Sequence, residues 1–128
     1  MDEKVKYWLE LSDYDLETAK AMLKSKRYLY VGFMCHQSIE KILKAYYSQH
    51  SQDTPPFSHS LSYLSKESGI NKILEDHQKE FMDQIEPLNI EARYPSQKDR
   101  LFKSLTKERC QYLIENTKKL QKWIKQKL

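Results

Sequence analysis

Five polar residues of the stretch C-H-Q-S-I-E-K-I-L-K-A-Y-Y, His36, Gln37, Glu40, Lys41 and Lys44, recur at the spacing of one helical face. In a helix that spacing gathers them into one contiguous sector. An imidazole, a carboxylate, an amide and two ammonium groups side by side can hold an anion, share a proton or pair with charges on a second subunit. His36 and Glu40 could also share a metal ion. A metal site needs three or four ligands, however, and no second H-x-x-x-E or E-x-x-H completes one. Neither a metal nor a cofactor is expected. Cys35 directly precedes His36, but neighbours in a helix point about 100° apart and do not pair as nucleophile and base. The chain has two glycines, too few for a phosphate-cradling loop. Paired carboxylates at a useful spacing are not evident.

Three further histidines and one loop complete the candidates. His77 falls on an apolar stripe, which suggests a hydrogen-bonded core histidine. His50 lies at a helix end, where a cationic ring complements the dipole. His59 opens a short helix and can cap it or bond a neighbouring one. In Arg93-Tyr94-Pro95 the proline restricts Tyr94 to an extended backbone. Arg93 can then grip phosphate or carboxylate with two parallel bonds, or tie the loop to helix-end carbonyls.

These residues need helices to position them. Val5, Trp8, Leu9, Leu16, Ala19 and Leu23 predict a helix over residues 2–26. Tyr28, Val31, Cys35, Ile39, Ile42, Leu43 and Tyr46 predict a second over 28–50, with the polar row opposite this stripe. Phe33 projects among the charges, which hints at a face not simply bathed in water. Pro55-Pro56 then forbid helix. A short helix over 59–67 follows, capped by Ser58 and stopped at Gly69. A fourth is expected over 71–88, with Ile73, Leu74, His77, Phe81, Ile85 and Leu88 inward and Pro87 at its end. Residues 89–100 lose periodicity and read as a loop. The last helix starts at Thr106, with Cys110, Leu113, Ile114, Thr117, Leu120, Ile124 and Leu128 as its stripe. No segment has a period of two. The expected fold is all-α, an up-down antiparallel four-helix bundle with an additional short helix, in one domain spanning residues 1–128.

Composition agrees. The chain of 128 residues is rich in Lys, Glu, Gln and Leu, and its formal charge of +4 does not by itself announce a nucleic-acid binder. Five lysines and no side-chain carboxylate fall in the last eleven residues. That end can meet phosphate or form a solvated face. Cys35 and Cys110 sit on apolar stripes and read as buried thiols. No apolar run approaches a membrane span, and M-D-E-K-V-K-Y-W lacks the apolar region of a signal peptide. A cytoplasmic protein is expected.

Four pieces in order resemble the HEPN domain family. They are W-L-E-L-S-D-Y-D-L-E-T-A, then Y-L-Y-V-G-F-M-C-H-Q-S-I-E-K-I-L-K-A, then S-H-S-L-S-Y-L, then A-R-Y-P-S. The resemblance implies an up-down helical bundle, usually a homodimer. It also implies binding of a nucleotide or RNA, and pairing with a minimal nucleotidyltransferase in systems that include toxin–antitoxin pairs. Many members are metal-independent ribonucleases with an R-x4-6-H motif at the dimer interface. Counting on from Arg93, the histidine positions of that motif hold Lys98, Asp99 and Arg100, and no histidine occurs after His77. The general acid/base of that reaction is therefore missing, and ribonuclease activity is not carried over. What carries over is the row His36, Gln37, Glu40, Lys41 and Lys44 with the loop pair Arg93 and Tyr94, as a ligand-binding surface or an interface. The alternatives are a ribonuclease with a rearranged acid/base such as His36 or His59, and a bundle that only makes contacts.

Overall fold

The computed structural model describes residues 1–91, 94, 99, 100 and 103–128, and for residues 90 and 91 the backbone alone. Among these, helices account for the regular structure and no strand occurs. They are α1 Glu3–Lys24, α2 Tyr28–His50, α3 Leu61–Ser68, a single 3-10 turn Ile70–Lys72, α4 Asp76–Glu91 and α5 Lys107–Lys125. Arg93 lies outside the described residues, while Tyr94 is exposed.

Residue pairings fix the topology. Lys4 meets Gln52, Trp8 meets Lys44 and Ser12 meets Ser38, so α1 and α2 run antiparallel. His36 meets Glu86 and Gly32 abuts Leu88, so α4 runs antiparallel to α2. Cys110 meets Tyr28 and Thr117 meets Cys35, so α5 runs parallel to α2 and hence antiparallel to α1. The order is up-down-up-down, with α3 packed against α2 and α4. Helix α2 is central. Its stripe residues Val31, Cys35, Ile39, Ile42 and Leu43 are fully buried, with Val5 and Ala19 of α1, Ile85 of α4, and Cys110, Leu113 and Ile124 of α5. Small residues let α1 and α2 approach closely. Ser12 Oγ donates to the Ser38 carbonyl at 2.7 Å and Ser38 Oγ to the Ser12 carbonyl at 3.0 Å. Gln121 of α5 then donates to Ser12 Oγ at 2.9 Å, so three helices are tied at one buried polar point.

The helix ends follow their local chemistry. Asp2 caps α1 through the Lys4 N–H, and Thr106 caps α5 through the Arg109 N–H. Gly69 ends α3 at φ 86°, a left-handed backbone that glycine adopts without cost. The turn between α1 and α2 lacks that convenience: Lys26 has φ 62°. Replacing Lys26 by glycine should stabilise the chain by about 0.5–1 kcal/mol, read as a raised urea midpoint at unchanged slope.

Four local expectations are corrected. Ser60, not Ser58, caps α3: it accepts from the Tyr63 N–H, while Ser58 accepts from the Ser60 N–H. The fourth helix begins at Asp76, because the chain first makes the 3-10 turn after Gly69, which leaves Ile73 about half exposed. His77 is therefore on the surface beside Glu75, not in the core. Pro87 lies inside α4, and the helix continues through Asn89 to Glu91. Proline is tolerated there because it and Asp83, whose carbonyl loses its N–H partner, are both exposed.

Both cysteines are buried free thiols. Burial pushes Cys35 up to about 12 and Cys110 up to about 11. Neither should react with a thiol-labelling reagent near neutral pH in the folded chain, and both should react at once in denaturant. Labelling of Cys35 without unfolding would contradict the packing of α2 on α5.

Candidate functional site

Because α2 is central, the polar row is not a surface stripe. His36 is fully buried, Glu40 is 2% exposed and Lys44 is 6% exposed. The chain's own helices cover them: α1 on one side, α3 and α4 on the other. A buried carboxylate is tolerated only when charge and donors compensate it. Glu40 has both. Lys44 Nζ, one turn on, donates to its Oε2 at 3.1 Å, and His59 Nδ1–H donates to its Oε1 at 2.9 Å. Lys44 also lies over the Trp8 ring at 5.2 Å, so the indole face completes the ammonium's surroundings.

Glu86 of α4 extends the cluster. Its carboxylate sits at the start of α3, accepting from Ser60 Oγ at 3.1 Å and from the Leu61 N–H at 3.0 Å, and it accepts from His36 Nε2–H at 3.3 Å. A helix N-terminus attracts an anion, and here the anion comes from the chain itself. Partial burial acts to raise the Glu86 pKa, but the bonds from His36, Leu61 and Ser60 outweigh it and hold the carboxyl below its ordinary value. His36 Nδ1 has no hydrogen-bond partner among the described residues and lies 3.9 Å from Glu40 Oε1.

The remaining members are placed differently. Lys41 turns to α1 and pairs with Asp15 at 2.8 Å, both mostly buried. Gln37 is partly buried, and its Oε1 has no hydrogen-bond partner among the described residues. Phe33 is partly buried. The structure thus brings His36, Glu40 and Lys44 together, while Lys41 belongs to a separate pair. The sequence reading missed Asp15 and Glu86. Asp15 carried a signal: with Ser12 it interrupts the apolar stripe of α1, and a polar residue on a buried stripe needs a partner. Glu86 carried none, since its role as a cap arises only when α4 passes the start of α3.

The cluster reaches solvent at His59, whose side chain is 55% exposed. Its Nδ1 is the nitrogen turned inward, to Glu40. A recess of about 210 Å³ lies beside it, lined by His59, Ser60, Glu86 and Asn89. No group of three or more His, Cys, Asp or Glu side chains poised for a metal occurs among the described residues.

The model of the HEPN domain matches residues 5–127. The chain belongs to the HEPN domain family. Among solved structures, the crystal structure of TT1696 from Thermus thermophilus matches with a TM-score of 0.85 and 20% identity, covering 99% of this chain and 100% of that one. At that identity the likeness shows the fold alone. No curated protein matches this HEPN chain. No helix among the described residues is long and apolar enough to cross a membrane.

Proposed function

We propose that this HEPN chain is a non-catalytic binding module that works as a homodimer and takes either a nucleotide or other phosphate ligand or a nucleotidyltransferase partner. The supporting observation is how the second-helix charges are used. Glu40 is held by Lys44 and His59, Lys41 by Asp15, and Glu86 by His36 and the start of α3. Charges compensated in this way fix α3 and the segment before it. They leave one ring edge, on His59, and exposed aromatics nearby in sequence, Phe57 and Tyr63, to meet a partner. A paired system of the toxin–antitoxin kind fits this role, with this chain as the member that binds.

The test has three arms. Light scattering after gel filtration should give a dimer mass. Melting with millimolar AMP or ATP should raise the midpoint, because a ligand adds stability as RT ln(1 + [L]/Kd). Incubation with generic RNA should leave it intact. RNA cleavage lost on His36→Ala or His59→Ala would replace this reading with the ribonuclease one. A strict monomer indifferent to nucleotides and to a minimal nucleotidyltransferase would leave only a structural bundle.

A further inference from the structure

We propose that the face formed by α4 and α5 is where a second copy of this chain docks, with α4 of each copy lying on α5 of the other about a two-fold axis. The inference rests on the homodimer reading above and adds to it the surface. What carries it is that the face is complementary in charge to itself. Helix α4 has five carboxylates and a single lysine. The chain from Lys118 onward has five lysines and no side-chain carboxylate. The two helices are neighbours: Tyr112 Oη donates to Gln84 Oε1 at 3.0 Å, and the Tyr112 ring meets that of Phe81 edge-on. Some of these charges are used within the subunit. Glu86 holds the start of α3, Lys118 pairs with Glu115, and Lys125 pairs with Asp13. Asp76, Glu80 and Asp83 on α4, and Lys119 and Lys122 on α5, are exposed and form no ion pair among the described residues. The charges left over on α4 are thus negative, and those left over on α5 are positive.

Between the two rows lies a groove of about 270 Å³ lined by Phe81, Leu120 and the partly buried Trp123. Tyr112, about half exposed, packs on Phe81. Large aromatic rings between charged rims are the composition of an interface centre. A two-fold axis parallel to the helices turns this arrangement onto itself. Because α4 and α5 lie side by side, α4 of one copy then faces α5 of the other. Lys119 shares the groove with Glu75 and His77, at the start of α4, so it comes level with Asp76 and Glu80 of the partner subunit. Each such contact is made twice. An axis across the helices would instead set α4 on α4, acid against acid, which costs affinity.

The test measures the mass of the full chain by sedimentation equilibrium. The natural chain should form a dimer that weakens as salt is added, because its rims are ionic. Glu80→Lys and Lys119→Glu should each weaken that dimer by about tenfold or more, since each brings like charges together at two symmetric places. Both side chains are exposed, so each variant should keep the helical circular dichroism of the natural chain. An equimolar mixture of the two variants should regain the dimer, because opposite charges then meet at both places. A dimer indifferent to both reversals overturns this face and leaves the homodimer reading standing on another surface. A mixture that stays monomeric overturns the two-fold pairing of α4 on α5. If the natural chain is a strict monomer, the homodimer reading itself fails and takes this inference with it.

Discussion

Replacing Glu40 by alanine should lower the unfolding free energy by about 3–5 kcal/mol, the cost of leaving buried partners of a lost charge uncompensated. Lys44 is 6% exposed and has the Trp8 ring and Glu40 as its neighbours of opposite character. Without the carboxylate its ammonium remains in a low-dielectric site with the indole alone. His59 loses the acceptor for Nδ1, and α3 loses one of its two ties to the helices below. For a chain of this size the melting midpoint should fall by about 10 °C or more. A loss under about 3 °C would mean that the ammonium escapes to water and that the cluster is looser than its distances indicate. The companion variant separates charge from packing. Glu40→Leu combined with Lys44→Met should be more stable than Glu40→Leu alone, because the pair is then replaced as a unit.

Glu40 also marks the limit of what periodicity reveals. The bundle was legible because each long helix carries an apolar stripe at helical spacing, and because Thr106 and Gly69 are residues whose capping roles follow from local chemistry. The spacing of His36, Glu40 and Lys44 likewise gave their common face. Which way that face points was not legible. A helix with one apolar and one ionic side reads as half-exposed, yet α2 is enclosed by α1, α3, α4 and α5, so its ionic side must be buried as well. Only the partners reveal this, and they come from distant positions: Asp15, His59 and Glu86. His77 failed in the opposite direction. Its place on a regular stripe looked internal, but Gly69 diverts the chain through a 3-10 turn and α4 starts in a new phase, with His77 outward. Pro87 misled because helix rules treat proline as a stop, whereas an exposed proline costs one solvent-facing bond and leaves the next turn intact.

Glu86 leads to the second large effect, and to one with a pH signature. Glu86→Gln should destabilise the chain by about 2 kcal/mol near neutral pH, because charge-assisted bonds from the Leu61 N–H, Ser60 Oγ and His36 Nε2–H weaken together. The carboxyl is held below its ordinary value in the folded chain. A lowered folded-state pKa means that the native state favours the ionised form. The stabilisation is therefore complete above the unfolded value, about 4.5, and is lost as pH falls from there through the folded value. Urea midpoints of the natural chain should drop over that window. Those of Glu86→Gln should drop less steeply, and the two should converge in acid. Equal slopes for both chains would show that the acid sensitivity comes from other carboxylates. A stability gap that persists unchanged at low pH would show that Glu86 acts through packing and not through its charge. Since Glu86 joins His36 to the first turn of α3, Glu86→Gln should also raise hydrogen exchange at the Leu61 and Tyr63 amides before it affects the α1–α2–α5 core. Loosening of α3 with an intact core would identify the cluster as the clamp that sets the position of His59.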